Sequence, residues 1–224
     1  MNNLGARQSE VGQREAALAS AAEAVRIYEE LAKRNPDAFQ PHLAANLNNL
    51  GAMQSEVGQR EAALASAAEA VRIYEELANR NPDAFQPHLA ASLNNLGAWQ
   101  SKLGQRKAAL ASAAEAVRIY EELAKRNPDT FQPDLAASLN NLGAMQSEVG
   151  QREAALASAA EAFDLYWPLF ATPPETFARN MMISLRNLLR RQRDGGRAPD
   201  AALLERVGVL RELGLDVPLD PDSG

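Results

Sequence analysis

An all-α solenoid of antiparallel helix pairs is the fold this sequence predicts, and three observations predict it. The string Asn-Asn-Leu-Gly recurs every 46 residues, beginning at Asn2, Asn48, Asn94 and Asn140, and a degenerate Arg186-Asn187-Leu188-Leu189 keeps the register. Self-similarity at a period of about 20–50 residues marks units that bury their apolar faces only by stacking on a neighbour. The composition is that of helices: 46% of the 224 residues are hydrophobic, much of that Ala and Leu, and only 5% are aromatic. Within each copy the apolar residues fall at steps of three and four, the pattern of an amphipathic helix.

The second copy shows the elements in order. Pro41 suits the first position of a helix, where its missing N–H is not needed. Leu43, Leu47, Leu50 and Val57 then form one stripe, with Met53 at its edge, and Gly58 predicts the stop. A second helix is expected from about Gln59 to Arg80, with Leu64, Ala67, Val71, Tyr74 and Leu77 on one face. Asn81-Pro82-Asp83 ends it, and Phe85 is expected in the connection, plugging the junction between units. Gly51, Ala63, Ala67 and Ala70 lie where the two helices would face each other. Side chains this small predict axes near the low end of the usual ~8–10 Å separation.

The domain reading follows the register. Residues 1–47 are a truncated first repeat and its link to the next, since the Asn2 string aligns with the middle of a first helix. Such a stub leaves an apolar stacking face open, so truncation or end-to-end association is expected there. Residues 48–162 are repeated helix pairs. Residues 163–214 form a divergent capping repeat, marked by Phe163, Tyr166, Trp167, Pro168, Phe170, Pro173 and Pro174. Leu185, Asn187, Leu188 and Gly196 still keep register, and a last helix from about Pro199 carries Leu203, Val207, Leu210 and Leu213 on one side. Residues 215–224 are expected to be a disordered tail.

Several functions are disfavoured at once. A formal charge of −6 argues against a nucleic-acid partner, which needs a basic footprint. There is no cysteine, and the two histidines, His42 and His88, sit at equivalent repeat positions with Asp134 in the third, so neither a metal site nor a catalytic base is expected. No phosphate-cradling glycine loop and no apolar run long enough to span a membrane is present. The expectation is a cytoplasmic binding module without cofactor or enzymatic activity.

The pattern Leu47-x2-Leu50-Gly51, followed by Gly58, Ala63 and Ala70 and repeated at Leu93, Leu96, Gly97, Gly104, Ala109 and Ala116, resembles the tetratricopeptide repeat. The long unit is similar to those of kinesin light chains and of actinobacterial arrays joined to signalling ATPases. The resemblance implies a right-handed superhelix whose first helices line a concave, peptide-binding groove. One departure is that Gln54, Gln100 and Gln146 stand where the family has an aromatic residue.

On that implied groove face three constellations are candidates. Asn48, Asn49, Asn94, Asn95, Asn140, Asn141 and Asn187 recur as amides, each able to donate and accept, and so could grip the backbone of an extended peptide. The same amides would equally serve to bond neighbouring helices and set the superhelical pitch. Arg186, Arg190 and Arg193 share a face with Asn187 and could hold a carboxylate, from an acidic segment or a free C-terminus; a solvated cap helix accounts for them as well. Trp99 and Lys102 replace Met and Glu of the neighbouring copies, either as a binding hot spot or as packing between repeats. The expected partner is a protein or peptide. Self-assembly through open ends, including a homo-oligomer at the N-terminal end, and a sensor segment of a larger ATPase or protease are the alternatives.

Overall fold

Two recurrent turns decide the architecture, and each is spelled out locally in the chain. Between the two helices of a repeat the linker is Val57-Gly58-Gln59, repeated as 103–105 and 149–151. Gly58, Gly104, Gly150 and Gly196 all have φ between +67° and +81°, a left-handed conformation that costs glycine nothing. The Gln59 N–H donates to the Gln54 carbonyl at 2.8 Å and the Gly58 N–H to the Ser55 carbonyl at 3.1 Å, which satisfies the last carbonyls of the first helix. Between repeats a single residue suffices. The Asn81 N–H closes the preceding helix on the Leu77 carbonyl, while its side-chain oxygen accepts from the Ala84 N–H of the next.

The computed structural model describes residues 2–170, 174–212 and 214–215, with side chains over 12–169, 177–212 and 214–215. Among the described residues there are nine helices and no strand: α1 (Asn2–Arg34), α2 (Pro36–Glu56), α3 (Arg60–Arg80), α4 (Pro82–Lys102), α5 (Arg106–Arg126), α6 (Pro128–Glu148), α7 (Arg152–Phe170), α8 (Pro174–Asp194) and α9 (Ala201–Glu212). The connections are so short that consecutive helices run antiparallel and pack, α1 on α2, α2 on α3 and α3 on α4, and likewise α6 on α7 and α7 on α8. This is the helix-pair solenoid expected, with one pair per 46-residue copy. Two compact units, Met1–Ile119 and Tyr120–Gly224, divide within α5.

The helices begin earlier than Pro41 implies. α2 starts at Pro36 and α4 at Pro82, so Pro41 and Pro87 lie inside the helices and Phe85 belongs to α4 rather than to a connection. The physical reason is the cap: Asn plus Pro at the first helical position nucleates the helix immediately. Phe85 nonetheless packs against the core formed by α1, α2 and α3. The Tyr74 hydroxyl donates to the carbonyl of Pro41, and Tyr166 does the same for Pro133.

Within each pair the small residues make the closest approach. A Cβ placed on Gly51 would stand 3.2 Å from the Ala63 carbonyl; on Gly97, 3.3 Å from that of Ala109; on Gly143, 3.2 Å from that of Ala155. In the last repeat this contact is abandoned. Leu189 occupies the register of Gly143, and Leu203, Val207 and Leu210 are buried on α9 at the spacing that Ala63, Ala67 and Ala70 have on α3. Leu213, Pro173 and residues 216–224 fall outside the described residues, as does the side chain of Phe170, while Leu215, the first residue of the expected tail, is half-buried against the α7–α9 core.

The first copy also differs from its register. Gly12 occupies the place of Gly58, yet α1 runs unbroken from Asn2 to Arg34, and Gly12 does not take positive φ. We expect Gly12→Ala to raise helicity by circular dichroism, since an interior glycine costs about 1 kcal/mol against alanine. Gly58→Ala should instead destabilise the chain by about 1–2 kcal/mol, because alanine resists the left-handed region; thermal melts of the two variants check the contrast.

Candidate functional site

The exposed face of the first helices is set by what each repeat does with its paired asparagines. Adjacent residues on a helix point about 100° apart, so one Asn of each pair turns toward the next repeat and the other outward. Asn48, Asn94 and Asn140 are half-buried, whereas Asn49, Asn95 and Asn141 are exposed. Asn48 donates from Nδ2 to the Ser92 hydroxyl at 2.7 Å, and Ser92, fully buried, passes its own proton to the His88 carbonyl. That is an inter-repeat bond made by a side chain rather than a free ligand contact. In the second unit Asn187 is half-buried and donates to the Asn140 oxygen at 3.1 Å, while Arg190 donates to the Asn187 oxygen at 3.0 Å. Arg186, Arg190 and Arg193 are exposed along α8.

Trp99 and Lys102 come together. The Lys102 ammonium lies 4.1 Å from the Trp99 ring centre and donates to the Ser55 hydroxyl of the preceding repeat at 3.2 Å. Trp99 is half-buried, and its Nε1 lies 3.7 Å from the Cβ position of Gly51. The same arrangement recurs at the other end of the chain. Arg191, in the register of Met53, Trp99 and Met145, covers Gly143, with Nε 3.4 Å from the glycine's Cβ position. Trp99 and Arg191 thus each lie over the glycine of the preceding repeat within their own unit.

Arg191 differs from the exposed arginines of α8. It is only 6% exposed, donates from NH1 to the Asn187 carbonyl, and its Nε has no partner. Burial pushes its guanidinium below the ordinary value, and the neighbouring Arg190 adds repulsion. In this column the sequence has Arg7, Met53, Trp99, Met145 and Arg191, so an arginine at this register recurs at both ends of the array. The three Gln residues that depart from the family pattern also acquire a role. Ser66, Ser112 and Ser158 donate to Gln54, Gln100 and Gln146 at 2.8–2.9 Å, linking the two helices of each repeat. The fourth, Gln192, has no such serine, and its oxygen is buried without a partner beside a cleft of about 470 Å³ lined by Phe163, Asp164, Leu203 and Arg206.

The histidines are stacking residues. His42 lies on Tyr28 at 5.5 Å and His88 on Tyr74 at 5.4 Å between ring centres. Asp134 takes that place in the second unit, where burial raises its carboxyl pKa. Tyr166 there is pushed up to about 12, by burial first and then by Asp134. Among the described residues no group of three or more His, Asp or Glu could hold a metal ion, and no helix is long and apolar enough to cross a membrane.

The profile of the tetratricopeptide repeat family matches residues 1–37, 43–83, 89–129 and 135–166, one match to each helix-pair register described above. The chain belongs to that family. Tetratricopeptide arrays are protein-interaction scaffolds, and this chain is built on that plan. Among solved structures the array is similar to BtubC (BKLC) from P. vanneervenii, with TM-score 0.54 and 18% identity over 90% of this chain and 84% of that one. It is also similar to a putative kinesin light chain of Podosopora anserina with nearly identical TPR-like repeats, with TM-score 0.60 and 18% identity over 96% and 100%. A point variant of the latter gives 0.61 at 18% identity, over 92% and 95%. At these identities the likeness is one of fold. No curated protein sequence matches the chain.

Two substitutions test how the tetratricopeptide site is held. Arg191→Met restores the residue found at positions 53 and 145 and removes a buried charge, so the second unit should gain about 1–2 kcal/mol, measured by denaturant unfolding. Asp134→Asn should stabilise at neutral pH. A carboxyl whose pKa is raised on folding favours the folded state only when protonated, so stability falls as pH rises from about 4 through the raised value. The gain from Asn should therefore vanish near pH 3 in melts across pH.

Proposed function

We propose that the chain binds an extended peptide or protein segment along the outward face of its first helices. The observation that carries this reading is the division of labour in each asparagine pair. Asn48 is spent on the inter-repeat bond to Ser92, while Asn49 and Asn95 stay exposed at the same register one repeat apart. An extended strand repeats its own donors and acceptors, and exposed amides at a regular interval can meet them without reading side chains. Trp99 and Lys102 add a specific contact to the first unit: Lys102 is exposed, already oriented by the indole and Ser55, and suits a carboxylate on the ligand. In the second unit Asn141, with Arg186, Arg190 and Arg193, extends the same preference for an acidic segment or a chain's free C-terminus. The net negative charge of the whole chain keeps that preference local and turns it away from nucleic acid.

The test is an affinity screen with acidic and free-C-terminal peptide libraries, followed by Asn49→Ala/Asn95→Ala on any ligand found. Two amide contacts at about 0.5–1.5 kcal/mol each predict roughly 5- to 150-fold weaker binding. The melting temperature should not move, because both side chains are exposed. Undiminished affinity in the double variant would remove the amides from the mechanism.

A further inference from the structure

Gln192 keeps the register of Gln54, Gln100 and Gln146, but the helix that follows it has changed. In the earlier repeats the Gln oxygen accepts from Ser66, Ser112 or Ser158 at 2.8–2.9 Å. Ser66 stands between Ala63 and Ala67 on α3. On α9, where Leu203, Val207 and Leu210 keep that spacing, the same place falls on Arg206. Arg206 can donate, yet it is engaged elsewhere. Its guanidinium pairs with Asp164 of α7 and lies 5.5 Å from the Phe163 ring centre and 5.2 Å from that of Trp167. The Gln192 oxygen is left buried and without a donor, a state that polar groups out of water rarely keep.

That residue lines a cleft of about 470 Å³ formed by α7, α8, α9 and the link before α9. The volume lies within the range of about 300–1,000 Å³ typical of small-molecule sites. Leu156, Phe163, Leu188 and Leu203 give it apolar walls. Its charged groups are already matched: Asp164 by Arg206, and Arg197 by Glu153 at 2.7 Å. Asp200 accepts from the Leu203 N–H at 2.8 Å, capping α9. A charged ligand would have to compete with one of these bonds, whereas a neutral one would not. The cleft lies within the second unit and includes none of the asparagines or α8 arginines of the outward face.

We propose that this cleft binds a small, uncharged ring compound carrying one N–H or O–H donor, of the indole or phenol class. The donor takes the place of the serine hydroxyl on the Gln192 oxygen, and the apolar walls cover the ring. A ligand that keeps this one bond while displacing loosely held water from the walls gains affinity. A purely apolar ring of the same shape leaves the oxygen unpaired and forfeits that gain. The required ring and donor occur both in free small molecules and in the Trp or Tyr side chain of a partner protein, and the chemistry at Gln192 is the same for either.

The chain has two tryptophans, Trp99 and Trp167, and so gives two indole N–H signals in a nitrogen-edited NMR spectrum, which Trp99→Phe assigns. Trp167 shares the Arg206 guanidinium with Phe163, so its signal reports on the cleft. Unlabelled indole should shift the Trp167 signal saturably, with half-saturation at about 1 mM for so small a fragment, and leave Trp99 unmoved. Benzofuran, the isostere without a donor, should bind about 5-fold more weakly. Gln192→Leu should abolish that preference without lowering the melting temperature, because it removes an unpaired buried oxygen. Ala202→Phe, at an exposed lining residue, should block both compounds. N-acetyltryptophanamide separates the sources: binding as tight as indole's supports a partner's side chain, and its exclusion supports a free small molecule. The proposal is overturned by the absence of a saturable Trp167 shift up to about 10 mM indole, by equal binding of indole and benzofuran to the parent chain, or by a preference that survives Gln192→Leu.

Discussion

The helix pairs of this molecule depend on one close approach: a glycine in α2, α4 and α6 set against an alanine carbonyl of the helix that follows. With a Cβ position only 3.2 or 3.3 Å from that oxygen, any larger residue would force the pair apart. The approach brings Gln54 and its equivalents within reach of a serine across the pair and sets how far the next repeat must reach to fill the hollow above the glycine. In the last repeat, Leu189 stands at the glycine's register, Gln192 has no serine partner, and a cleft lies beside it. Small residues thus control geometry here more than large ones do.

The hollows above Gly51 and Gly143 explain residues that a motif search would assign to function. Trp99 and Arg191 look like ligand-binding groups, and both lie over the glycine of the preceding repeat. Packing and binding are not exclusive for Trp99, whose ring is half-buried and supports an exposed ammonium. For Arg191 the balance is different. It is buried, and the pull of Asp194 does not offset the desolvation and the repulsion of Arg190, so its charge is held at a cost that methionine in the same column does not bear.

The asparagine pairs show how one helix serves structure and surface together. Asn48 faces the neighbouring repeat and bonds to it, and this orients the helix so that Asn49 faces out. The outward row is then as regular as the stacking that generates it. A surface built this way inherits its spacing from the core.

The period, the helix pairs, the turn glycines and the small-residue contact were all legible in the sequence, because each is either local or repeated. A glycine that ends a helix, or a proline after a capping Asn, acts through its own backbone wherever it stands, and repetition made the pattern unmistakable. Even so, the capping Asn outranked Pro41 in placing the helix start, since nucleation happens at the first residue able to satisfy the free N–H groups. Tertiary structure alone decided which asparagine of each pair is spent on packing, that Arg191 is buried while Arg190 is exposed, and that α1 passes straight through Gly12. Neighbouring side chains on a helix differ by about 100° in direction, and only the stacking of one repeat on the next selects which of them meets protein and which meets water.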